Sequence, residues 1–258
     1  MSIRIHPTAL VSADAQIGED VEIGAFAIIG PECVIGDGCV IAPRATLEKL
    51  ATLGRNVKVG SGSIVGGDPQ DLKFRGERTH VEIGDGTVIR EFVTVNRGTA
   101  DSDRTVVGRE CLLMSYVHLA HDCQVGDHVI ISNASQIAGH VMIEDRVILG
   151  GLVAVHQFVK IGAHAFVGGA SKATQDVPPY LKAVGNPVKL YGLNTVGLAR
   201  NGFDPAVIRE LKRAYRLFFG SDLIVSRAME RAREELKPFP EVEHFLSFVS
   251  KSERGLAV

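Results

Sequence analysis

Read in steps of six, the chain repeats an aliphatic residue in a single phase. Ile5, Val11, Ile17, Ile23, Ile29, Ile35, Ile41, Leu47, Leu53, Val59 and Val65 hold it first. The pattern skips 71 and 77, resumes at Ile83, Ile89 and Val95, breaks at Asp101, and runs unbroken from Val107 to Val167. Twenty-five positions in one phase are all Ile, Leu or Val, which chance does not produce. Four residues after each stands a small or β-branched residue, among them Val21, Ala27, Cys33, Cys39, Ala45, Cys111, Val117, Cys123 and Ser135.

A period of six is neither the 3.6 of a helix nor the 2 of a simple strand. Short strands joined by sharp corners satisfy it. Three strands make one triangular coil of 18 residues, and successive coils stack at roughly 4.8 Å with every backbone group paired above and below. The expected fold is therefore a β structure, a left-handed parallel β-helix of about nine coils. Glycine often follows the aliphatic residue, as in Ile17-Gly18 and Ile35-Gly36, and we assign it to corners that need unusual backbone angles. The two interruptions keep the register and should bulge outward as loops, the usual places for function on a repeat scaffold.

The hexad pattern ends near Gly185-Asn-Pro187. Beyond it, Asp204-Pro205 reads as a helix N-cap followed by Pro at the first helical position. Val207, Ile208, Leu211, Ala214, Tyr215 and Phe218 recur at helical spacing up to Gly220, a second helix covers roughly 222–236, and Pro240 opens a third that ends near Ser252. The division expected is 1–187 for the β-helix, including a substrate loop at 66–80, and 188–258 for a small α-helical C-terminal domain packed on one end. The basic stripe Arg209, Lys212, Arg213 and Arg216 reads first as a solvated face.

Composition narrows the classes. Hydrophobic residues are 45%, aromatics only 6% and Trp is absent, which suits thin repetitive layers. The net charge of −2 argues against nucleic acid or an anionic membrane as the main partner. Neither a signal segment nor a run long enough to span a membrane stands out, so a cytoplasmic protein without stable membrane insertion is expected. All four Cys fall on the small buried position, so they read as core residues rather than ligands or a redox pair.

Residues 18 apart share a column. His121, Gly139 and Gln157 form one column, Asp122, His140 and Phe158 the next, and His118, Gln136 and Ala154 lie three residues before the first. With His156, four histidines gather on one edge. They could be polar decoration. They could hold zinc, which needs three imidazoles at about 2.0–2.1 Å from the ion, converging across the subunits of a trimer as in the gamma-class carbonic anhydrases. The third reading is general-base catalysis: His121 takes a proton from a hydroxyl, Asp122 orients the ring, and a backbone N–H near Gly139 stabilises an oxyanion. The first interruption carries Gln70, Asp71, Lys73 and Arg75, either bare surface or a face for a diphosphate. No Walker-type loop, serine nucleophile motif or spaced carboxylate pair accompanies them.

The segments DPQDLKFRGERT, REFVTVNRGT, LMSYVHLAHDCQVG, NASQIAGHV, AVHQFVKIGAHAFVGG, QDVPPY and GLNTVGLARNGF occur in order over nearly the whole chain. Together they are similar to the UDP-N-acetylglucosamine O-acyltransferases, hexapeptide-repeat enzymes that open lipid A synthesis. That resemblance implies transfer of an (R)-3-hydroxyacyl chain from acyl carrier protein to the 3-hydroxyl of UDP-N-acetylglucosamine. It implies no cofactor beyond the phosphopantetheine arm that carries the acyl group, and no metal. It implies His121 as base, Asp122 as its orienter and the Gly139 N–H as oxyanion donor. Gln70, Asp71 and Lys73 would hold the nucleotide sugar or the acyl chain. His118, His140, His156 and Gln157 would line the sugar-nucleotide site, and Asn194 and Arg200 would contact the uridine diphosphate. Gly169 falls where the family sets chain length, and its missing side chain implies a long, hydroxymyristoyl-class donor. The family is a homotrimer with active sites between subunits, which allows base and loop to come from different chains. The chain departs from the common family pattern at Val196, Asn201 and Asn96, where Glu, Arg and His are frequent. An acetyl-CoA sugar acetyltransferase or a zinc enzyme on the same prism, and a non-catalytic rod, are the competing readings.

Overall fold

The computed structural model describes residues 3–258, so Met1 and Ser2, with which the expected first part begins, lie outside the described residues. The chain forms the left-handed parallel β-helix its period demands. Strands of two to five residues follow each other around a triangle and sort into three sheets of eleven, nine and eight strands. The first sheet runs from Arg4–Ile5 to Lys189–Leu193, the second from Leu10–Val11 to Lys172–Ala173, and the third from Gln16–Ile17 to Lys160–Ile161. Neighbours pair in parallel at a step of 18, as in His118↔Gln136 and Leu119↔Ile137.

Within each strand the second residue points inward. Ile29, Leu47, Leu119, Ile131, Ile137 and Leu149 are all at most 2% exposed and belong to one continuous core. The small residue of each hexad completes that core. The four cysteines lie there, and each thiol donates to a carbonyl of the next coil, as Cys123 Sγ does to Ala138 O at 3.1 Å. Burial pushes the Cys123 thiol up to about 12, so it stays protonated and inert.

The corner glycines have a different cause from the one expected. Gly18 and Gly36 do not adopt positive φ; the left-handed conformation falls two residues later, mostly on other residues, such as Asp20 (53°) and Asn56 (56°). The glycine is needed because the next coil passes too close. A Cβ on Gly36 would meet Gly54 O at 2.5 Å, and one on Gly84 would meet Gly108 C at 2.6 Å.

Both interruptions keep the register. Val81, Glu82 and Ile83 pair with Ala51, Thr52 and Leu53 across the first, and His118 pairs with Thr94 across the second. The first sheet continues past residue 187, because Lys189–Leu193 returns antiparallel to Leu181–Val184. Four helices follow: α1 (Thr195–Arg200), α2 (Pro205–Phe219), α3 (Val225–Glu235) and α4 (Pro240–Ser250). Asp204 caps α2, its Oδ1 accepting from Ala206 N, and Gly220 ends it. Leu198, Leu211, Ala214, Phe218, Phe245 and Leu246 form a second core that takes in Tyr180 and Leu181 from the top of the prism. The C-terminal residues close the last coil: buried Asp176 accepts from Ser252 Oγ, and its backbone pairs with Gly255 and Ala257. Among the described residues no helix is long and apolar enough to cross a membrane.

Candidate active site

The corner between the second and third sheets gathers the histidines. Coil stacking sets Gly139 directly above His121, and an added Cβ there would lie 2.7 Å from His121 Cε1 and 2.9 Å from Nε2. Only glycine leaves room for the ring. The Gly139 N–H has no acceptor among the described residues.

Asp122 follows at φ 61°, a left-handed corner conformation that Asp tolerates better than most residues. Its side chain is fully enclosed, and Oδ2 lies 2.7 Å from His121 Nδ1. A carboxylate only accepts, so in the neutral ring Nδ1 carries the proton and Nε2 presents a lone pair. Asp122 accepts three more hydrogen bonds, from Thr99 N, Thr99 Oγ1 and Ser102 Oγ, and its own N–H donates to Thr105 Oγ1. Burial alone would make its carboxyl a weaker acid, but the hydrogen bonds from Ser102, His121 and Thr99 outweigh it and hold the carboxyl below the usual range.

Thr99, Ser102 and Thr105 were not singled out from the sequence. The second interruption supplies the first two, and a signal existed. Before that insertion the stacking step is 24, with Thr94 and Val95 beneath His118 and Leu119, and after it the step is 18, so the extra residues enter just below the candidate base. An insertion opening one coil below a candidate base is well placed to serve it.

The remaining histidines take distinct places. His140 Nε2 is 3.6 Å from Asp122 Oδ2, and its ring stacks on Phe158 at 4.5 Å. His118 Nδ1 bonds Thr94 Oγ1 at 2.8 Å; burial lowers its basicity, and neighbouring His121 adds to the shift. His156 Nδ1 is 3.2 Å from Gln157 O. The ligand atoms of His121, Asp122 and His140 lie within 4.8 Å of one another. Within one chain that set offers two imidazoles where zinc needs three, and the four hydrogen bonds to Asp122 already use its lone-pair positions.

His121 stands between two grooves. One, of about 480 Å³, climbs the outer face of the second sheet past Ala120, Ile137, Ala138, Ala154 and Val155, and takes in His118 and His156. The other, of about 440 Å³, is polar and is walled by Asp71, Lys73, Glu77, Thr99 and His140. Gln70, His121 and Gln157 border both. The loop that carries Gln70, Asp71 and Lys73 thus lies against His121 of its own chain. It is tied down by Arg97, which is 1% exposed, pairs with Asp68, donates to Gly66 O at 3.1 Å and packs on Phe74 at 5.2 Å. Asn96 Nδ2 adds a bond to Asp68 O.

Three expected residues are not brought to this edge within one chain. Gly169 lies at the corner between the first and second sheets, its Cα facing Gly151. Asn194 caps α1, accepting from Gly197 N and donating to His164 O, at the corner between the third and first sheets. Arg200 ends the same helix. Asn201 closes it, donating to Gly197 O and accepting from Arg146.

Comparison with known proteins gives this geometry a family. A profile described as UDP N-acetylglucosamine O-acyltransferase, domain 2, matches residues 176–257, and one described as bacterial transferase hexapeptide, six repeats, matches 14–49 and 104–139. The acyl-[acyl-carrier-protein]–UDP-N-acetylglucosamine O-acyltransferase of Burkholderia mallei is 44% identical over 262 residues, covering 98% of each chain. That of Myxococcus xanthus is 49% identical over 193 residues, 74% of this chain and 75% of its own. The crystal structure of LpxA from Acinetobacter baumannii superposes with a TM-score of 0.96 at 40% identity, over 98% of this chain and 99% of that one. The chain belongs to the acyl-[acyl-carrier-protein]–UDP-N-acetylglucosamine O-acyltransferase family.

Proposed function

We propose that this O-acyltransferase moves an (R)-3-hydroxyacyl group from the phosphopantetheine thioester of acyl carrier protein to the 3-hydroxyl of UDP-N-acetylglucosamine, the first step of lipid A assembly. The observation that carries the mechanism is the His121 ring, fixed through Nδ1 by Asp122, lying over Gly139 between an apolar and a polar groove.

His121 Nε2 takes the proton of the sugar hydroxyl as its oxygen attacks the thioester carbon. The carbonyl oxygen gains the negative charge and is met by the Gly139 N–H. Collapse of the tetrahedral adduct breaks the carbon–sulfur bond, and the imidazolium returns its proton to the departing thiolate. A positioned base contributes about 10²–10⁴-fold, and one oxyanion donor on the order of 3 kcal/mol. Asp122, held ionised by Thr99 and Ser102, stabilises the transient imidazolium.

The polar groove, with Lys73, Gln70, Asp71 and His140, takes the nucleotide sugar. His118 and His156, which the resemblance gives to the sugar-nucleotide site, line the apolar groove instead, and that groove takes the thioester and the chain flanking it, with Gln157 bordering both. Asn194 and Arg200 reach the diphosphate from a neighbouring copy in a homotrimer. The outer face of the first sheet supports such assembly: Val88, Leu112, Ile130, Ile148 and Phe166 form an outward apolar column. Gly169, between two and three coils above His121 or roughly 13 Å along the stack, leaves the far side of the second sheet open to a long chain. Residues 188–258, a returning strand followed by four helices, form the cap that carries Asn194 and Arg200.

Mass spectrometry of the product from UDP-N-acetylglucosamine and a set of hydroxyacyl carrier proteins tests the reading. A monoacylated product dominated by a chain of about fourteen carbons is expected. Transfer from acetyl-CoA in preference to every carrier-protein donor would overturn it.

A further inference from the structure

The groove on the second sheet ends at a residue that no part of the reaction above uses. His118, Gln136, Ala154 and Lys172 follow one another up a single column, each paired with the next. Three steps of the stack separate the first from the last, roughly 14 Å. Lys172 lines the same groove as His121 and Gly139. Its side chain is exposed and has no hydrogen bond or ion pair among the described residues. Its backbone is fixed, with N donating to Gly185 O and O accepting from Val188 N. A rigidly mounted, unneutralised ammonium therefore stands at the far end of a groove floored by Ile137, Ala138, Ala154 and Val155 and flanked by the amides of Gln136 and Gln157.

A hydrocarbon tail gives a cation nothing to bind. A slender arm with amide groups along it and an anion at its end matches the whole column. Such an arm, extended over about thirteen bonds from thioester to phosphate, spans roughly 15 Å, as four or so extended residues do. We infer that Lys172 is the phosphate site for the phosphopantetheine arm, with Gln136 offering its side-chain amide to the arm between. The inference rests on the acyl-carrier-protein reading above. Lys172 touches no reacting atom; it binds the donor and sets the distance at which the thioester meets His121.

The test separates phosphate from carrier protein by using free arms. Binding of pantetheine and of phosphopantetheine is measured by calorimetry, and transfer from their hydroxyacyl thioesters by kinetics, for the native enzyme, K172A and K172R. The native protein should prefer the phosphorylated arm by roughly tenfold in Kd and in KM, the scale of one charge-assisted contact. In K172A that ratio should fall to about one, and K172R should restore most of it. Equal affinity of the native protein for both arms, or a K172A loss that is the same for both, overturns the assignment. So does a K172A effect seen only with intact carrier protein, which would give Lys172 to that protein's surface. Phosphate preference in binding without any transfer to UDP-N-acetylglucosamine would instead count against the reaction proposed above.

Discussion

Asp122 concentrates the chemistry of this edge at a single side chain. Its four accepted bonds come from His121 and from a loop that breaks the repeat, so the base and its orienter are held by non-repetitive chain laid over a repetitive frame. Ser102→Ala removes one of the bonds that keep the carboxyl ionised and aligned, and should lower kcat about tenfold with little change in KM for either substrate. Steady-state kinetics decide, and an unaltered kcat would show that the clamp is dispensable. Gly139→Ala is a harsher change. Its Cβ would occupy space now held by the His121 ring, and displacement of the ring by about 1 Å should cost on the order of 10²-fold in turnover. The columns of His121, Gly139, Asp122 and His140 were legible because 18-residue arithmetic is reliable where the repeat is unbroken. Thr99 and Ser102 were not, because residues inside an insertion have no fixed place in that arithmetic.

Elements that depart from the repeat show where packing replaces pattern. The loop at 66–80 carries three candidate ligands, yet its anchor is Arg97, a buried guanidinium on the strand side that nothing in the period marks. Arg97→Met should free the loop, and trypsin should then cut after Lys73 or Arg75 roughly tenfold faster; an unchanged cleavage rate would remove Arg97 from that role. Helix α2 could be read from Asp204, Pro205 and Gly220, whereas the six residues of α1 are too few to show a helical period and were missed. The cap is tied to the prism by α4. His244 Nε2 is 3.0 Å from Glu144 Oε2, and its Nδ1 is 2.8 Å from the Tyr180 hydroxyl. The Glu144 bond, helped by Asp145 and opposed by burial and Lys251, holds this imidazole above its ordinary value. Stability from a group whose value rises on folding is present at low pH and is lost as pH climbs through the folded value. His244→Gln should therefore lower Tm more at about pH 5 than at about pH 8.5, and equal losses at both would contradict the linkage.

At the scale of the whole molecule the period dictates nearly everything. One aliphatic and one small residue per hexad fill the core, and the corners hold many residue types at positive φ because the paired coils around them fix the backbone there. The glycines were placed correctly but explained wrongly: they answer to the coil above, a contact that a single repeat cannot reveal. Assembly is the remaining step. Ile130→Glu, in the middle of the outward apolar column, should convert a trimer to monomers in sedimentation velocity and lower activity with it, since Asn194 and Arg200 lie at another corner from His121. A trimer that survives this charge would place the interface elsewhere. Base catalysis itself is tested most directly by single-turnover acyl transfer in His121→Ala, with circular dichroism and sedimentation run on the same sample. Loss of at least about 10³-fold in a protein that keeps its fold and assembly is the result expected. A rate within a few-fold of the native enzyme would contradict it.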